Sequence, residues 1–384
     1  METQELLSII ANSEDSRHQF KADFTNAHAV AAEMVAFSNS KGGILLIGVN
    51  DDGNITGLDS GDMARLNQLI SNAASQSVRP PINPITENIA LPSGMVMVVT
   101  IDQGISKPYM DNQGFIWVKS GSDKRKVTAR EELQRMYQEA ALVHADEIPV
   151  QGTSVRDVDM EFFESFFEQF VGEPLVEQEN SLSQLMENMN LMRAGQLNLT
   201  GALLFAKRPQ LRLPVFIAKA VAIAGLDITD STYIDSQDIN GKLSDVFQKS
   251  LSFVLGNIHH YQNEQGFNSL GQPEIPRIVL EELIANALIH RDYFVSAPVR
   301  ILVFFDRVEI ISPGHLPNNL TIENIKLGNS NIRNPILASF APHVLPYRGL
   351  GSGILRSIKA YPDIHFIDDI NGNTFKAIIM RKSQ

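Results

Sequence analysis

Cysteine is absent from the 384-residue chain, and this absence excludes several classes of protein. Without thiols the chain cannot hold a disulfide scaffold, a cysteine-ligated zinc ion or an iron–sulfur cluster, and it cannot use a cysteine nucleophile. The phosphate loop GxxxxGK[ST] is absent as well, which argues against a motor of the P-loop class. Stability must come from a hydrophobic core, and 43% hydrophobic residues over this length are enough to form one.

Positive charge is scarce, since 32 lysines and arginines face 44 acids and the formal net charge is −12. Domains that bind nucleic acid are usually basic, so any contact with DNA or RNA would have to use a local patch. The longest apolar run, residues 213–225, is interrupted by Lys219 and is too short to span a bilayer. The first residues lack the features of a signal peptide. We therefore expect a cytoplasmic protein that does not contact membranes.

Hydrophobic periodicity predicts an α/β (α+β) chain with two domains. Residues 27–38 have apolar positions at helical spacing, and the glycines that follow lead into a buried strand over residues 44–49. Residues 146–158 are rich in proline, glycine, serine and charge, which is typical of a linker. We expect a first domain over residues 1–145 and a second over residues 159–384.

A long motif lies in the first domain. It consists of EDSRHQFK at residues 14–21 and AFSNSKGGILLIGVNDDG at residues 36–53. These segments resemble the patterns E-[DS]-x-x-x-E-F-K and A-F-A-N-T-x-G-G-x-[LI]-x-I-G-V-x-D-x-G of the Schlafen/AlbA-type domain. The resemblance covers most of residues 10–140. It implies a domain that is built from a mixed sheet and helices and that binds DNA.

A basic cluster follows in the same domain, where five of the twelve residues 119–130 are lysine or arginine: Lys119, Lys124, Arg125, Lys126 and Arg130. A loop with such cations can contact phosphate oxygens, and Trp117 and Tyr109 could stack on bases. We predict a surface for DNA here, with RNA as an alternative. The other interpretation is a solvated loop with Trp117 in the core.

The resemblance to animal Schlafens implies a second chemistry, because in those proteins the domain cleaves RNA with three acidic residues. The corresponding positions here are Glu14, Gln19 and Asp52. Three carboxylates can hold divalent cations for phosphodiester hydrolysis, but Gln19 replaces an anionic ligand with a neutral amide. A metal would bind Glu14 and Asp52 only if the protein were a nuclease, which we disfavour. Otherwise Glu14 is a turn residue and Asp52 a cap.

The second half carries a separate resemblance, in LTGALLFAK at 199–207, ELIANALIHRDY at 282–293, ISPGHLP at 311–317 and RNP at 333–335. These segments look like the region that follows the first domain in bacterial relatives, which is called RecG-like or a divergent ATPase. It is similar to the GHKL ATP-binding fold, which implies an α/β sandwich. Many relatives continue into a winged helix, and we expect none here.

The resemblance to the GHKL fold implies a nucleotide site. In that fold a helix carries E-x-x-x-N, and Glu282 and Asn286 match it. The i, i+4 spacing places both side chains on one helical face, where a carboxylate can activate water and an amide oxygen can bind Mg²⁺. Further residues could reach the phosphates, including a glycine-rich turn before a predicted helix: His290, Arg291, Gly349, Gly351 and Gly353.

One departure from the GHKL pattern concerns the base. GHKL proteins accept a hydrogen bond from the adenine amino group with an aspartate in a D-x-G-x-G turn, but the matching turn here, residues 312–314, is Ser-Pro-Gly. A hydroxyl both donates and accepts, so ATP with Mg²⁺ is expected to bind without strong preference for adenine. In the alternative, Glu282 is a surface acid, Asn286 a structural amide and His290 a buried histidine.

Three functions remain open at this point. The first is a DNA-binding transcriptional regulator whose C-terminal domain is a degenerate nucleotide sensor or an oligomerisation domain, acting as a homo-oligomer. The second is an enzyme, either a weak NTPase with Glu282 as its catalytic residue or a nuclease at Glu14 and Asp52. The third is a scaffold with a vestigial pocket. Gln19 weighs against the nuclease, and the missing aspartate near Ser312 weighs against the ATPase.

Overall fold

The computed structural model describes residues 1–140, 142–229, 233–261, 271–317, 320–349 and 351–381. Over these residues the chain divides into two units, Met1–Val143 and His144–Gln384. Both contain helices and mixed or antiparallel sheets. The α+β class expected from the sequence is confirmed.

Unit 1 (Met1–Val143) alternates helices with short strands. In chain order its elements are α1 Thr3–Ala11, β1 His18–Lys21, α2 Ala27–Asn39, β2 Gly43–Ile47, α3 Ser60–Asn72, β3 Val78–Arg79, β4 Ile85–Leu91, β5 Gly94–Ile101, β6 Met110–Asp111, β7 Trp117–Ser120, β8 Asp123–Lys126 and α4 Arg130–Glu139. The main sheet has the order β1-β2-β5-β4, with β1 and β2 parallel and the other pairs antiparallel.

The main sheet of unit 1 is covered on both faces. Leu45 and Ile47 of β2 pack with α2 and α3, whereas Leu46 between them packs with Leu6 of α1. This division follows from the two-residue period of a strand, because successive side chains point to opposite faces. Helix α2 is capped at its N-terminus by Asn26, whose side chain accepts a hydrogen bond from the N–H of Ala29. The buried strand expected at 44–49 is therefore a central strand.

Unit 2 (His144–Gln384) contains the elements α5 Met160–Val171, α6 Leu182–Asn188, β9 Met192–Arg193, β10 Gln196–Leu197, α7 Leu199–Phe205, β11 Ala218–Ile223, β12 Tyr233–Ile239, α8 Leu243–Asn257, β13 His260–Tyr261, β14 Gln272–Pro273, α9 Arg277–Ile289, β15 Val299–Val303, β16 Arg307–Pro313, α10 Ile322–Lys326, α11 Pro335–Val344, α12 Gly353–Ala360, β17 Ile364–Asp369 and β18 Thr374–Met380. Its six-stranded sheet has the order β12-β11-β15-β16-β18-β17, and only the β11–β15 pair is parallel.

One face of the six-stranded sheet is packed against helices α8 and α9. Alternate residues of its central strands, such as Ala220, Ile301 and Ile310, belong to the large core of the unit together with Val254 and Ile284 of the helices. Helix α9 is buried on nearly all sides, which fits a helix that carries apolar residues around its circumference. This burial fixes the rotation of α9 and therefore the direction of its polar side chains.

Residues 146–158, which the composition predicts to be a linker, pack into unit 2. Asp146 is fully buried, and its Oδ2 accepts hydrogen bonds from the N–H groups of Ile336 (2.7 Å) and Leu337 (3.0 Å) at the start of α11. Val158 is also fully buried and bridges to Ala206. The division between the units lies between residues 143 and 144, and both Asp146 and Val158 of the following segment make their contacts inside unit 2.

Candidate functional site

Glu282 and Asn286 lie one turn apart on α9 and face the same cavity in unit 2. The cavity is bounded by α9, by β16 and β18 of the sheet, and by the segment that leads into α12. Only 4% of Glu282 is exposed. The i, i+4 spacing therefore places a carboxylate and an amide side by side in a cavity that the rest of the helix buries.

The cavity has a volume of about 120 Å³, which is smaller than the roughly 300–1,000 Å³ of most small-molecule sites. Its floor is apolar and includes Leu283, Ile310, Phe366 and Phe375. Polar groups lie among the other lining residues: Glu282, Asn286, His290, Ser312, Asn329, Ser330, Asn331, Arg333, Tyr347, Arg348, Ser352 and Arg356.

The glycine-rich turn predicted to contact phosphates lies at this cavity. Gly349 and Gly351 have φ angles of +67° and +68°, in the left-handed region that glycine adopts without strain. Gly353 is the first residue of α12, and a Cβ there would collide with the Glu282 carboxylate and lie 3.4 Å from Asn286 Nδ2. Glycine therefore allows the start of α12 to approach α9. Leu350 of this turn lies outside the described residues.

The carboxylate of Glu282 is paired with an arginine. Arg356, one turn into α12, donates from Nη2 to Glu282 Oε1. Burial raises the pKa of Glu282, and the positive charges of Arg356 and Arg348 oppose this shift. Arg356 Nε is buried without a hydrogen-bond partner, so one N–H of this guanidinium faces the interior unpaired.

His290 lines the cavity, but it does not offer a positive charge to a phosphate. Burial lowers the pKa of His290 to about 4, and the charge of Arg333 acts in the same direction. The ring is therefore neutral at pH 7, and its Nε2 lies 3.0 Å from the hydroxyl of Tyr347. His290 can hydrogen-bond a ligand as a neutral imidazole only.

Arg291 does not reach the cavity, which corrects the expectation that it contacts phosphates. Its guanidinium is buried between the rings of Phe216 and Tyr293 and donates to the carbonyls of Val295 (3.0 Å) and Ala297 (2.6 Å). Helix α9 ends at Ile289, so the helical period no longer directs the side chain at position 291. Arg291 holds the loop between α9 and β15.

Ser312, the position expected near the base, lies in the cavity wall. Its hydroxyl donates a hydrogen bond to the carbonyl of Ala287, with 3.1 Å between the oxygens. Because the only proton of the hydroxyl is used in this bond, the side chain offers a ligand its lone pairs alone. The expectation that this hydroxyl both donates and accepts is therefore wrong for the described geometry.

Sequence reasoning missed part of the cavity. Arg348 and Arg356 add two guanidinium groups beside the glycine turn, and Tyr347 adds a hydroxyl. The spacing of Arg356 three residues after Gly353 was an available signal, because residues three apart lie on the same helical face. Arg348 falls in irregular chain, where spacing carries no such information.

The basic cluster of unit 1 is largely engaged within the protein. Lys119 Nζ donates to Gln19 Oε1 (2.6 Å) and to the carbonyl of Ser122, and burial lowers the pKa of Lys119. Lys124 pairs with the buried carboxylate of Glu33, which is 3% exposed.

Outside these buried contacts, the cluster remains at the surface. Arg125 donates from Nη1 and Nη2 to the two carboxylate oxygens of Glu132. Lys126 Nζ lies 3.4 Å from the centre of the Phe115 ring. Arg130 begins α4. Trp117 is partly buried and donates to Asp111, and Tyr109 is only 5% exposed, so Tyr109 is not available to stack on a base.

The three positions that correspond to a Schlafen nuclease do not form a carboxylate cluster. Gln19 is buried and donates from Nε2 to Glu14 Oε1, which also accepts from the N–H of Phe20 (2.6 Å). Asp52 accepts from the N–H and side chain of Asn54, and these bonds lower the pKa of Asp52. Within the described ranges, no group of three or more histidine or acidic side chains could hold a metal ion.

Two family models match parts of the chain. Residues 14–128 match the family described as "Schlafen, AlbA_2", and residues 296–369 match "Putative ATP-dependent DNA helicase recG C-terminal". The two resemblances seen in the sequence are confirmed: residues 14–128 of unit 1 are similar to Schlafen/AlbA_2 domains, and residues 296–369 of unit 2 are similar to the C-terminal region of RecG-type proteins. Glu282 and Asn286 precede the second matched range.

Two solved structures are also similar. The DIP2311 protein from Corynebacterium diphtheriae is 20% identical, with 98% of this chain and 80% of that chain covered and a TM-score of 0.47. The N-terminal domain of the "Putative ATP-dependent DNA Helicase RecG-related Protein" from Nitrosomonas europaea is 20% identical, with 33% and 94% covered and a TM-score of 0.23. A comparison with curated proteins gave no match. In the part of the chain that is described, no helix is long and apolar enough to cross a membrane.

Proposed function

We propose that the protein is a DNA-binding transcriptional regulator whose C-terminal unit binds a nucleotide. One observation carries the nucleotide part. The cavity in unit 2 brings Glu282 and Asn286 of α9 together with Gly351 and Gly353 at the start of α12. A carboxylate, an amide and a helix N-terminus around an apolar floor are the groups that a Mg²⁺-nucleotide requires.

The phosphate end of the nucleotide lies, in this proposal, against the turn before α12. The first N–H groups of α12 and the positive end of its dipole face that region. Arg348 and Arg356 line the same part of the cavity and supply guanidinium groups that match phosphate oxygens. Asn286 would bind Mg²⁺ through its amide oxygen. None of these roles requires a positive charge on His290.

The base lies, in this proposal, towards Ser312. The hydroxyl of Ser312 donates to Ala287 and so accepts from the ligand. An exocyclic amino group satisfies this acceptor, and the keto group of hypoxanthine does not. The geometry therefore favours ATP over ITP, although the side chain is not the aspartate of GHKL proteins.

A thermal unfolding series tests the nucleotide site. A nucleotide that binds only the folded protein raises the melting temperature by mass action. We expect ATP with Mg²⁺ to raise it for the wild type and for Asn188→Ala, an exposed asparagine of α6 that lies outside the cavity. Asn286→Ala is expected to abolish the part of this rise in melting temperature that depends on Mg²⁺. Equal shifts in both variants would refute the role of Asn286.

A weak NTPase is the second candidate, and the position of Glu282 favours it. The carboxylate lies beside Asn286 at the cavity, as a general base would. Its pairing with Arg356 reduces its availability to activate water. We therefore propose that hydrolysis is slow and that nucleotide occupancy itself is the signal.

The nucleic-acid part of the proposal is supported by the family match of unit 1. The DNA target of the regulator, with RNA as the alternative, would meet Lys126 and the neighbouring cations of that unit. We place the regulator in the cytoplasm as a homo-oligomer, a state in which nucleotide binding in unit 2 can alter DNA affinity. Sedimentation of the full chain with and without ATP tests this arrangement, and a monomer under both conditions would refute it.

A further inference from the structure

A second concavity lies in unit 2, and it shares no lining residue with the nucleotide cavity. It has a volume of about 480 Å³. Its wall is built from residues 153–157, from the end of α7 and from the turn that follows α7. The lining residues are Thr153, Arg156, Asp157, Ala202, Ala206, Lys207, Arg208, Pro209, Leu211 and Arg212.

The lining of this concavity carries an excess of positive charge. Arg156, Lys207, Arg208 and Arg212 are exposed, and none of the four forms an ion pair with a carboxylate in the described part of the chain. Asp157 is the one acid of the lining. Its carboxylate accepts from the N–H (2.8 Å) and hydroxyl (3.3 Å) of Ser154.

This charge contrasts with the rest of the protein. The whole chain has a formal charge of −12, and the basic cluster of unit 1 has Lys124 and Arg125 paired with Glu33 and Glu132. Near the concavity, Asp159 is already paired with Lys242. The four cations are thus a local positive site on an acidic protein, and such a site attracts an anion over several ångströms.

Two of the four cations, Lys207 and Arg212, contact the backbone. The N–H of Lys207 donates to the carbonyl of Asp157 (2.8 Å), and Lys207 Nζ lies 3.4 Å from the carbonyl of Arg156. The Arg212 guanidinium lies over Gly152, where a Cβ would be 3.0 Å from its central carbon. These contacts position Lys207 and Arg212 at the concavity, where an anion would meet them together with Arg156 and Arg208.

We propose that this basic concavity binds the phosphate backbone of a nucleic-acid strand. The proposal rests on the nucleic-acid partner proposed above and adds a contact surface in unit 2. Arginine forks match phosphate oxygens, and a strand presents one phosphate about every 3.4 Å. The lining contains no aromatic side chain. It therefore lacks a platform for stacked bases. Recognition here is independent of sequence.

A salt titration with the full-length protein tests the inference. The probes are a fluorescein-labelled DNA strand of mixed sequence and the corresponding duplex, followed by anisotropy between about 50 and 200 mM salt. The test variant is Lys207→Ala/Arg208→Ala/Arg212→Ala. The matched control is Arg193→Ala/Lys249→Ala/Arg300→Ala, which removes one lysine and two arginines that are exposed in unit 2 outside the concavity.

We expect the test variant to bind the strand at least roughly tenfold more weakly at low salt. The slope of the logarithm of the binding constant against the logarithm of the salt concentration should become shallower by about two, because each lost phosphate contact on a single strand removes about 0.7 from it. The control is expected to retain the slope of the wild type. Thermal unfolding checks that both variants fold, because substitutions of exposed cations change stability by about 0.5 kcal/mol or less.

The other outcomes are distinguishable. If the wild type binds neither probe, the nucleic-acid part of the proposed function fails together with this inference. If the test variant binds like the control while Lys126→Ala in unit 1 weakens binding, only this inference is overturned. If inorganic tripolyphosphate stabilises the wild type but not the test variant, and DNA binding is unchanged, the concavity is a site for small anions and the inference is again overturned.

Discussion

Arg356 donates a hydrogen bond to the carboxylate of Glu282, so the candidate catalytic group of the cavity is held by a residue of the neighbouring helix. Glu282 is almost completely buried, whereas 27% of the Arg356 side chain is exposed. A phosphate that entered the cavity would compete with Glu282 for the guanidinium. The pair thus couples the charge state of Glu282 to ligand binding.

The first prediction concerns this pair. Arg356→Ala leaves a buried carboxylate without its partner and is expected to destabilise the protein by about 2 kcal/mol at neutral pH. The folded pKa of Glu282 lies above its ordinary value of 4.5 and is expected to rise further in the variant. Because its pKa is raised, Glu282 is protonated more readily in the folded state than in the unfolded state, and this protonation stabilises the fold. The stabilising contribution is fully present below about pH 4.5 and is lost as the pH rises through the folded pKa.

Thermal unfolding between acid and neutral pH measures this effect. The deficit of Arg356→Ala should grow as the pH rises. The double variant Glu282→Gln/Arg356→Ala, which has no charge to lose, should show no such growth. A deficit independent of pH in both variants would mean that Arg356 acts through packing alone.

The second prediction concerns the approach of α12 to α9. Gly353→Ala places a methyl group against the Glu282 carboxylate, and we expect a loss of about 1–3 kcal/mol together with loss of ATP stabilisation. Gly256→Ala in α8 is the matched control, since a Cβ there meets no atom within 4 Å. Because Gly256 lies in the last turn of α8, this change is expected to be neutral or to stabilise by less than about 1 kcal/mol. Denaturant unfolding compares the two, and similar values would contradict the close approach.

The third prediction concerns the base. ATP with Mg²⁺ should stabilise the wild type more than ITP does, because Ser312 offers only an acceptor. Ser312→Ala should remove most of this difference. Ser330→Ala, a cavity residue next to Gly351, should change the response to ATP and ITP equally. A preference for ATP that survives in Ser312→Ala would place the base elsewhere.

The fourth prediction separates structural from binding roles in unit 1. Lys124→Ala leaves the buried Glu33 unpaired, and Glu33 Oε2 already lacks a partner. We expect a loss of about 1–3 kcal/mol. Lys126→Ala, which removes an exposed cation above Phe115, should leave stability within about 0.5 kcal/mol and weaken DNA binding. Thermal unfolding and anisotropy together test the structural role of Lys124 and the DNA-binding role of Lys126. The DNA-binding role fails if Lys126→Ala binds DNA like the wild type.

The fifth prediction concerns cleavage. Gln19 places a neutral amide between Glu14 and Lys119, so we expect labelled RNA to remain intact with the full chain and Mn²⁺. Cleavage that disappears in Glu14→Ala, but persists in Asp15→Ala as a neighbouring control, would restore the nuclease alternative.

Local features of the site could be predicted from the sequence, and the contacts between distant segments could not. The i, i+4 spacing of Glu282 and Asn286 determined that they share a face of α9. The same reasoning failed for Arg291, because the helix ends before it. The partner of Glu282 is 74 residues away along the chain, and that of Glu33 is 91 residues away. No local pattern indicates such pairs.

The predicted linker shows the same limit at the level of the fold. Polar composition over residues 146–158 is typical of solvated chain. In the structure, the buried Asp146 carboxylate finds its donors about 190 residues later, at the start of α11. Composition describes how easily a segment is solvated, but it does not reveal that a distant part of the chain supplies the hydrogen-bond donors that water would otherwise supply.

The anchoring of Asp146 has a practical consequence for dissecting the protein. A fragment that begins at residue 159 would discard Asp146, the hydrogen bond from the N–H of Val150 to Leu197 and the buried Val158. It would expose the start of α11 and part of the unit 2 core to water. A fragment that begins at residue 144 retains all of these contacts. Boundaries chosen by composition would therefore yield an unstable C-terminal piece, whereas those chosen by buried partners keep its core complete.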